Sequence, residues 1–124
     1  ATAMVDKILC MCDPEYMSPS ETLLRKYFPE LSIARSSDSL LEIIAGGINK
    51  AEAVKYLCDL RKIPLTSTIA FGDNYNDLEM LDVVGCGVLM GNAPSELQKH
   101  FSFVTKSNDQ DGIFQAFKEL GVLN

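Results

Sequence analysis

The sequence has 124 residues, the length of one ordinary domain, so it can build one hydrophobic core or two small lobes but not a large multidomain protein. With 47% hydrophobic and 23% charged residues, its composition is that of a folded globular protein and not of a disordered chain. Its 17 acidic residues outnumber the 11 Lys and Arg, for a formal charge of -6, which argues against binding to nucleic acid or to an anionic membrane.

Cysteine usage predicts a reduced, cytoplasmic protein. The four cysteines and the single histidine, His100, are not clustered as the ligands of a zinc site would be. No secretory leader is recognisable ahead of the cysteines, so we expect free thiols. The longest apolar runs are far too short for a membrane-spanning helix.

The first 45 residues have the pattern of a strand, a helix and a hairpin. Residues 5–12 are rich in apolar side chains and stop at a turn, which predicts a buried strand. The Ser-Pro-Ser-Glu sequence that opens residues 18–28 predicts a helix with Ser at its N-cap. Residues 31–35 and 40–44 flank a cluster of turn-forming residues, so we expect an antiparallel hairpin.

After Gly46 and Gly47 the pattern changes to helices that alternate with strands. We expect helices over residues 50–62, 77–84, 92–100 and 111–120, and strands over residues 66–71, 87–90 and 101–105. Such alternation on short connections predicts an α/β fold with a parallel sheet, whose functional loops follow the carboxyl ends of the strands. We therefore place a boundary near residue 46, between a lobe of residues 1–45 and a lobe of residues 46–124.

An acidic loop, Gly-Asp-Asn-Tyr-Asn-Asp at residues 72–77, follows one predicted strand and opens a helix. Asp73 should project from the edge of the sheet, and Asp77, four residues later, can point back toward it. Two converging carboxylates repel each other unless a hard cation with oxygen ligands, typically Mg²⁺, lies between them. Alternatively, Asn74 and Asp77 only cap the helix and Asp73 is a solvated turn residue. The loop alone leaves both interpretations open.

Lys50 follows Gly46-Gly47-Ile48-Asn49 and begins the next predicted helix. The first turn of a helix offers free N–H groups and a partial positive charge, so a lysine there strengthens an anion site, such as a site for phosphate. An isolated lysine on a helix is more often a solvated side chain. The spacing of a P-loop is also absent.

Four separated stretches occur together in an order and spacing typical of one family. They are LEIIAGGINKAEAV (41–54), FGDNYNDLEML (71–81), GVLMGNAPSELQ (87–98) and FVTKSNDQDGI (103–113). On these stretches the chain, from about Lys7 to Leu120, resembles the C-terminal half of Cof-type phosphatases of the haloacid dehalogenase superfamily. The resemblance implies a Rossmann-like parallel sheet with helices on both faces for residues 46–124. It also implies that residues 1–45 are the C-terminal part of an α+β cap domain.

The resemblance further implies Mg²⁺-dependent hydrolysis of a small phosphorylated metabolite. In the family, the lysine that matches Lys50 steadies the charge between nucleophile and transferring phosphate, and the aspartate that matches Asp73 ligates Mg²⁺. The residues that match Asn76 and Asp77 arrange the phosphate and the surroundings of the metal. We accordingly expect Lys50 to be catalytic and, with Asn76, to bind phosphate, and Asp73 and Asp77 to be the metal residues.

One motif of the family, D-x-D-G-[TS], has no match here. Its first Asp is the nucleophile and its second is the general acid and base, whereas the only predicted strand that ends in an acid reaches Asp13, followed by Pro14 and Glu15. The resemblance therefore implies half an enzyme, which is inactive alone because no nucleophile is positioned. Such a chain should associate with a second copy, as a homodimer, or with a missing N-terminal fragment.

Two interpretations without catalysis stay open at this point. A truncated chain can fold and act only as an interaction or cation-binding module. A receiver domain of two-component signalling has the same length, with Asp13, Asp73 and Lys106 in the places of its acids and its lysine. The hairpin predicted for residues 31–44 interrupts the regular alternation of that fold, and the receiver interpretation leaves the acidic loop unexplained.

Overall fold

Two separate β-sheets organise the part of the chain that the computed structural model describes, residues 5–123. The strands are β1 (Lys7–Met11), β2 (Leu31–Ser37), β3 (Leu40–Ala45), β4 (Ile69–Gly72) and β5 (Cys86–Leu89). The helices are α1 (Pro14–Tyr27), α2 (Lys50–Arg61), α3 (Leu78–Val83), α4 (Ser95–Gln98) and α5 (Gly112–Glu119), with short 3-10 turns at Leu65–Ser67, Tyr75–Asp77 and Asn108–Gln110.

The first sheet is antiparallel, with strand order β1-β3-β2. Ile33 and Ile43 face each other across the hairpin, and Leu41 lies two positions before Ile43, so the three side chains share one face. All three are buried, as is Met17 of α1, which packs against this hairpin. The predicted strand and hairpin are present, but the prediction that the strand is buried was wrong, because β1 lies at the edge of the sheet and four of its five residues are exposed.

The prediction for the start of α1 was wrong. The helix begins at Pro14 after an extended N-cap residue, Asp13, and not after Ser18, so Pro19 lies inside it. Pro14 suits the first helical position because its missing N–H needs no partner there. Met17, 1% exposed, fixes the additional first turn in the core. This burial opposes the loss of one helical hydrogen bond at Pro19.

The second sheet pairs β4 with β5 in parallel, from Ile69 opposite Cys86 to Gly72 opposite Leu89. The predicted strand over residues 101–105 was too long. In that range only Val104 forms a β-bridge among the described residues, and it pairs in parallel with Leu89. Residues 66 and 67 of the other predicted strand lie in a 3-10 turn. The buried core beside this sheet consists of Leu81, Leu89, Ala93 and Leu97. The predicted α/β fold with a parallel sheet is confirmed.

The chain passes from β3 to α2 through Gly46 and Gly47. Gly47 has φ 74°, in the left-handed region that favours glycine. The predicted boundary near residue 46 falls in this connection, although residues 1–4 and 124 of the two predicted lobes lie outside the described residues. Among residues 5–123, no helix has the length and apolar character needed to cross a membrane.

Candidate active site

The site begins where the chain leaves β4. After Gly72 it turns through Asp73 and Asn74 into the 3-10 turn Tyr75–Asp77 and then into α3. A side chain at position 72 would place its Cβ 2.5 Å from the Cβ of Asp77, so only glycine lets these two residues pack together. Asp77 is therefore held directly against the carboxyl end of β4.

Asp77 is 4% exposed, and both of its carboxylate oxygens have partners. Its Oδ2 accepts hydrogen bonds from the backbone N–H groups of Asp73 at 3.0 Å and of Asn74 at 3.3 Å. Its Oδ1 accepts a hydrogen bond from Nζ of Lys50 and forms an ion pair with it. A buried carboxylate needs such partners, because leaving water without them costs more free energy than folding can supply.

Lys50 is the first residue of α2, and the local sequence fixes this helix start. The side chain of Asn49 caps the helix by accepting a hydrogen bond from the N–H of Glu52 at 2.8 Å. The same side chain donates to Oε2 of Glu79 at 2.6 Å, which ties the start of α2 to α3. Half of the Lys50 side chain stays exposed, so its ammonium group can meet a ligand while it contacts Asp77.

Asp73 is exposed, and a second loop orients it. Its Oδ2 accepts a hydrogen bond from Nδ2 of Asn92 at 2.9 Å. The Oδ1 of Asn92 in turn accepts from the backbone N–H of Asn108 at 3.1 Å. The loops that follow β4, β5 and the bridge residue Val104 are thereby joined at one edge of the sheet.

A cleft of about 600 Å³, a volume typical of small-molecule sites, lies between the α1–hairpin unit (residues 7–45) and the acidic loop with the start of α2. Lys50, Tyr75 and Asn76 line one side, and Arg25 and Arg35 are among the residues on the other. Two of the four predicted site residues, Lys50 and Asn76, thus line the cleft. The other two, Asp73 and Asp77, are not among the residues that line the cleft; Asp77 contacts Lys50, and the backbone N–H of Asp73 donates to Asp77.

The donor atoms fit a magnesium ion only in part. Asp73 offers a hard, exposed carboxylate oxygen at the sheet edge, which is the ligand type that Mg²⁺ prefers. Asp77 is better placed to hold Lys50 and two backbone N–H groups than to give a direct metal bond. Within residues 5–123, no group of three or more His, Cys, Asp or Glu side chains is arranged to hold a metal ion. Any Mg²⁺ here would need further ligands from water, substrate or another segment.

Sequence patterns missed two contributors to this site. The predicted helix over residues 92–100 includes Asn92, but α4 covers only Ser95–Gln98; the position of Asn92 in the loop after β5, at the carboxyl end of the sheet, was a usable signal. Asn74 was read as a helix cap, which it is, but its Nδ2 also donates to the backbone carbonyl of Ser36 at 2.9 Å. No local pattern indicates that second contact, because the two residues are 38 positions apart.

A family model and several curated proteins match this sequence. The sequence model of the haloacid dehalogenase-like hydrolases matches residues 2–117. A provisionally named phosphatase of Haemophilus influenzae is 41% identical over 119 residues, which are 96% of this chain and 45% of that protein. The 5-amino-6-(5-phospho-D-ribitylamino)uracil phosphatase YitU of Bacillus subtilis is 41% identical over 80 residues, 64% of this chain and 30% of that protein.

Comparison of the fold finds a solved structure of the same family. A solved structure described as a haloacid dehalogenase subclass IIB sugar phosphatase superposes with a TM-score of 0.84 at 26% identity. The match covers 98% of this chain and 45% of that one. The chain therefore spans less than half the length of each of these three relatives.

Proposed function

We propose that this chain, which belongs to the haloacid dehalogenase-like hydrolase family, is the part of a Mg²⁺-dependent phosphomonoester phosphatase that supplies its catalytic lysine. Membership rests on the family match over residues 2–117. The observation that carries the proposal is the ion pair of the buried Asp77 with Lys50, which lines the cleft. A cation held at a cleft suits the negative charge of a phosphate, and Asp73, in the same acidic loop as Asp77, offers an exposed carboxylate for the metal ion.

Each proposed role rests on a contact or on a position at the site. Lys50 donates N–H groups to a phosphate oxygen while Asp77 holds its ammonium group in place. Asn76, on the same side of the cleft, donates its side-chain amide to the phosphate. Asp73 provides the direct metal ligand, and Asp77 acts on the surroundings of the metal through Lys50 and the loop backbone. Mg²⁺, when bound, would neutralise negative charge on the phosphate.

The chain alone should not hydrolyse phosphomonoesters. The sequence has no match to the D-x-D-G-[TS] motif that supplies the family's nucleophile, so we expect no carboxylate positioned to attack phosphorus. Incubation of the purified chain with p-nitrophenyl phosphate and Mg²⁺ tests this, with release of nitrophenolate as the readout. We expect none above an enzyme-free blank. Turnover that Asp73→Ala abolishes would show that the chain has its own nucleophile.

The substrate class that the cleft suits is a small phosphorylated metabolite. Two relatives are named for phosphate esters of a sugar or of a ribityl compound, which are rich in hydroxyl groups. The far wall of the cleft offers guanidinium and carboxylate groups from Arg25, Arg35 and Glu42, and such groups bind hydroxyls well. The net charge of -6 gives no support to a nucleic-acid or membrane partner. The free cysteines support a place in the cytoplasm.

Association with another chain is part of the proposal. Among residues 5–123, β4 pairs with β5 alone, which leaves its other edge available. On α2, Tyr56, Leu57 and Leu60 are more than half exposed although they are apolar. An available strand edge and exposed apolar side chains favour pairing. The partner is either a second copy of the chain or an N-terminal fragment of the kind that the relatives' greater length provides.

Phosphate binding separates the phosphatase from a non-catalytic interaction module. A module that only binds cations or proteins has no use for Lys50, whereas the phosphatase requires it. Titration of the chain with inorganic phosphate, followed by NMR, should shift the resonances of Lys50 and Asn76. Shifts confined to other regions would favour the module. The receiver interpretation loses its basis, because the family match covers nearly the whole chain.

A further inference from the structure

The α1–hairpin unit (residues 7–45) and the rest of the described chain (residues 50–123) have very few polar connections. Among the hydrogen bonds and ion pairs within residues 5–123, one side-chain bond crosses between them, from Nδ2 of Asn74 to the carbonyl oxygen of Ser36. The backbone connection through Gly46 and Gly47 is the covalent link. The seating of the hairpin on the acidic loop therefore depends on Asn74 more than on any other polar group.

Ser36 is available for this contact because the hairpin is irregular there. Arg35 pairs with Leu41 and Ser37 pairs with Leu40, so Ser36 is an extra residue without a partner on β3. Such bulges leave backbone groups outside the ladder and turn them toward a new partner. The hydroxyl of Ser36 is buried and has no hydrogen-bond partner among residues 5–123. Its carbonyl group, and not its side chain, makes the contact.

The side-chain oxygen and the backbone N–H of Asn74 also form hydrogen bonds. Its Oδ1 accepts from the N–H of Tyr75 at 2.8 Å, and its own N–H donates to Oδ2 of Asp77 at 3.3 Å. The two residues form a capping box that starts the 3-10 turn. Asn74 thus joins the hairpin, through its side chain, to the carboxylate that holds Lys50, through its backbone N–H.

We infer that Asn74 is a positioning residue, which makes the geometry of Asp77 and Lys50 depend on whether the hairpin is seated on the acidic loop. The inference rests on the proposed function, since it concerns the same site. When the hairpin is seated, both ends of the Asn74 amide are fixed, and the loop holds Asp77 and Lys50 at the cleft. When the Asn74–Ser36 bond breaks, the hairpin can move about Gly46 and Gly47, and the loop backbone loses one of its anchors.

Two substitutions of Asn74 remove its hydrogen bond to Ser36 and keep its hydrogen bond from Tyr75. Asn74→Ser keeps an oxygen that can cap the N–H of Tyr75 but is too short to reach Ser36. Asn74→Asp also keeps the cap, and it has no donor for the Ser36 carbonyl. Ser36→Ala is the matched control, because it removes the unpartnered hydroxyl and leaves the carbonyl in place.

Residual dipolar couplings of the full 124-residue chain measure the relative orientation of the two units. In the unmodified chain and in Ser36→Ala, one alignment tensor should fit residues 7–45 and 50–119 together. In Asn74→Ser and Asn74→Asp, the two units should need separate tensors. Hydrogen exchange at the N–H groups of Asp73 and Asn74 should also become about 3- to 10-fold faster, the effect of losing one hydrogen bond.

Three results would overturn the inference. The first is that one alignment tensor still fits both units in both Asn74 variants. The second is that the two units already need separate alignment tensors in the unmodified chain. The third is loss of the folded state in both variants, which would make Asn74 a folding residue and not a positioning residue. A failure of the proposed function is distinguishable from all three, because it would appear as absent phosphate shifts at Lys50 in the unmodified chain.

Discussion

Lys50 and Asp77 are 27 positions apart, yet the ammonium group of one contacts the carboxylate of the other at the carboxyl end of β4. The Asp77 side chain is 6% exposed and the Lys50 side chain 50% exposed, so the pair has a buried member and an accessible one. Asp77 thereby fixes a cation that still faces the cleft.

Asp77→Ala should lower the free energy of unfolding by about 2–4 kcal/mol, because it leaves the N–H groups of Asp73 and Asn74 without their acceptor. Lys50→Ala should cost less, because the two backbone bonds to Asp77 survive. Urea unfolding monitored by circular dichroism measures both. Asp59→Ala is the control, since Asp59 pairs with Lys62 on the surface and should have no measurable effect. Equal losses for Asp77→Ala and Asp59→Ala would be inconsistent with a buried anchor.

Gly72→Ala should destabilise the fold by about 1–3 kcal/mol, because the new Cβ would lie 2.5 Å from that of Asp77. The cause is steric, so Gly72→Asn should be no better tolerated. Gly47 provides a contrast, because nothing lies within 4 Å of a Cβ there and its cost comes from φ 74°. Asn should therefore be tolerated better than Ala at position 47, since Asn adopts this conformation more readily. Thermal unfolding of the four variants decides between the two mechanisms.

Lys50→Gln should weaken the binding of inorganic phosphate about tenfold, the effect of losing one charge-assisted hydrogen bond. Lys55→Gln is the matched control on the same helix, because Lys55 pairs with Glu52 on the surface and does not line the cleft. NMR titration gives both dissociation constants. An equal loss for the two variants would mean that phosphate responds to the general charge of α2 and not to a site at Lys50.

The chain should associate at high concentration, because β4 has an available edge among the described residues and α2 exposes Tyr56 and Leu60. Sedimentation velocity should show species heavier than the 13.6 kDa monomer. Tyr56→Glu with Leu60→Lys should shift the population toward monomer. A strictly monomeric mass at every concentration, with slow hydrogen exchange over residues 69–72, would show that the chain protects its own edge.

Periodicity and turn chemistry predicted most of the fold, because the hairpin, α2 and β4 each have a clear local pattern. The start of α1 was misplaced because Ser18-Pro19-Ser20-Glu21 imitates a helix start, whereas burial of Met17 decides the true one. Strand pairing of residues 101–105 depends on how far β5 extends, which their own sequence does not encode.

The site was only partly predictable for the same reason. The acidic loop and Lys50 stand at strand-to-helix transitions, and that placement is visible in sequence. The tertiary contacts are not visible there. That Asp77 is held by Lys50, Asp73 by Asn92, and Asn74 by Ser36 depends on loops brought together from distant positions.

The central claim is that Lys50, Asn76 and Asp73 form one phosphate and metal site. Its most direct test is an NMR titration of the 124-residue chain with inorganic phosphate, with and without Mg²⁺, repeated for Asp73→Ala. We expect Mg²⁺ alone to bind weakly, since Mg²⁺ requires near-octahedral oxygen coordination and the described residues form no group of three such acidic or His and Cys ligands. We expect phosphate to shift Lys50 and Asn76, and Mg²⁺ to tighten its binding only when Asp73 is intact. A phosphate affinity that does not change when Mg²⁺ is added, or that Mg²⁺ raises equally in Asp73→Ala, would contradict the claim.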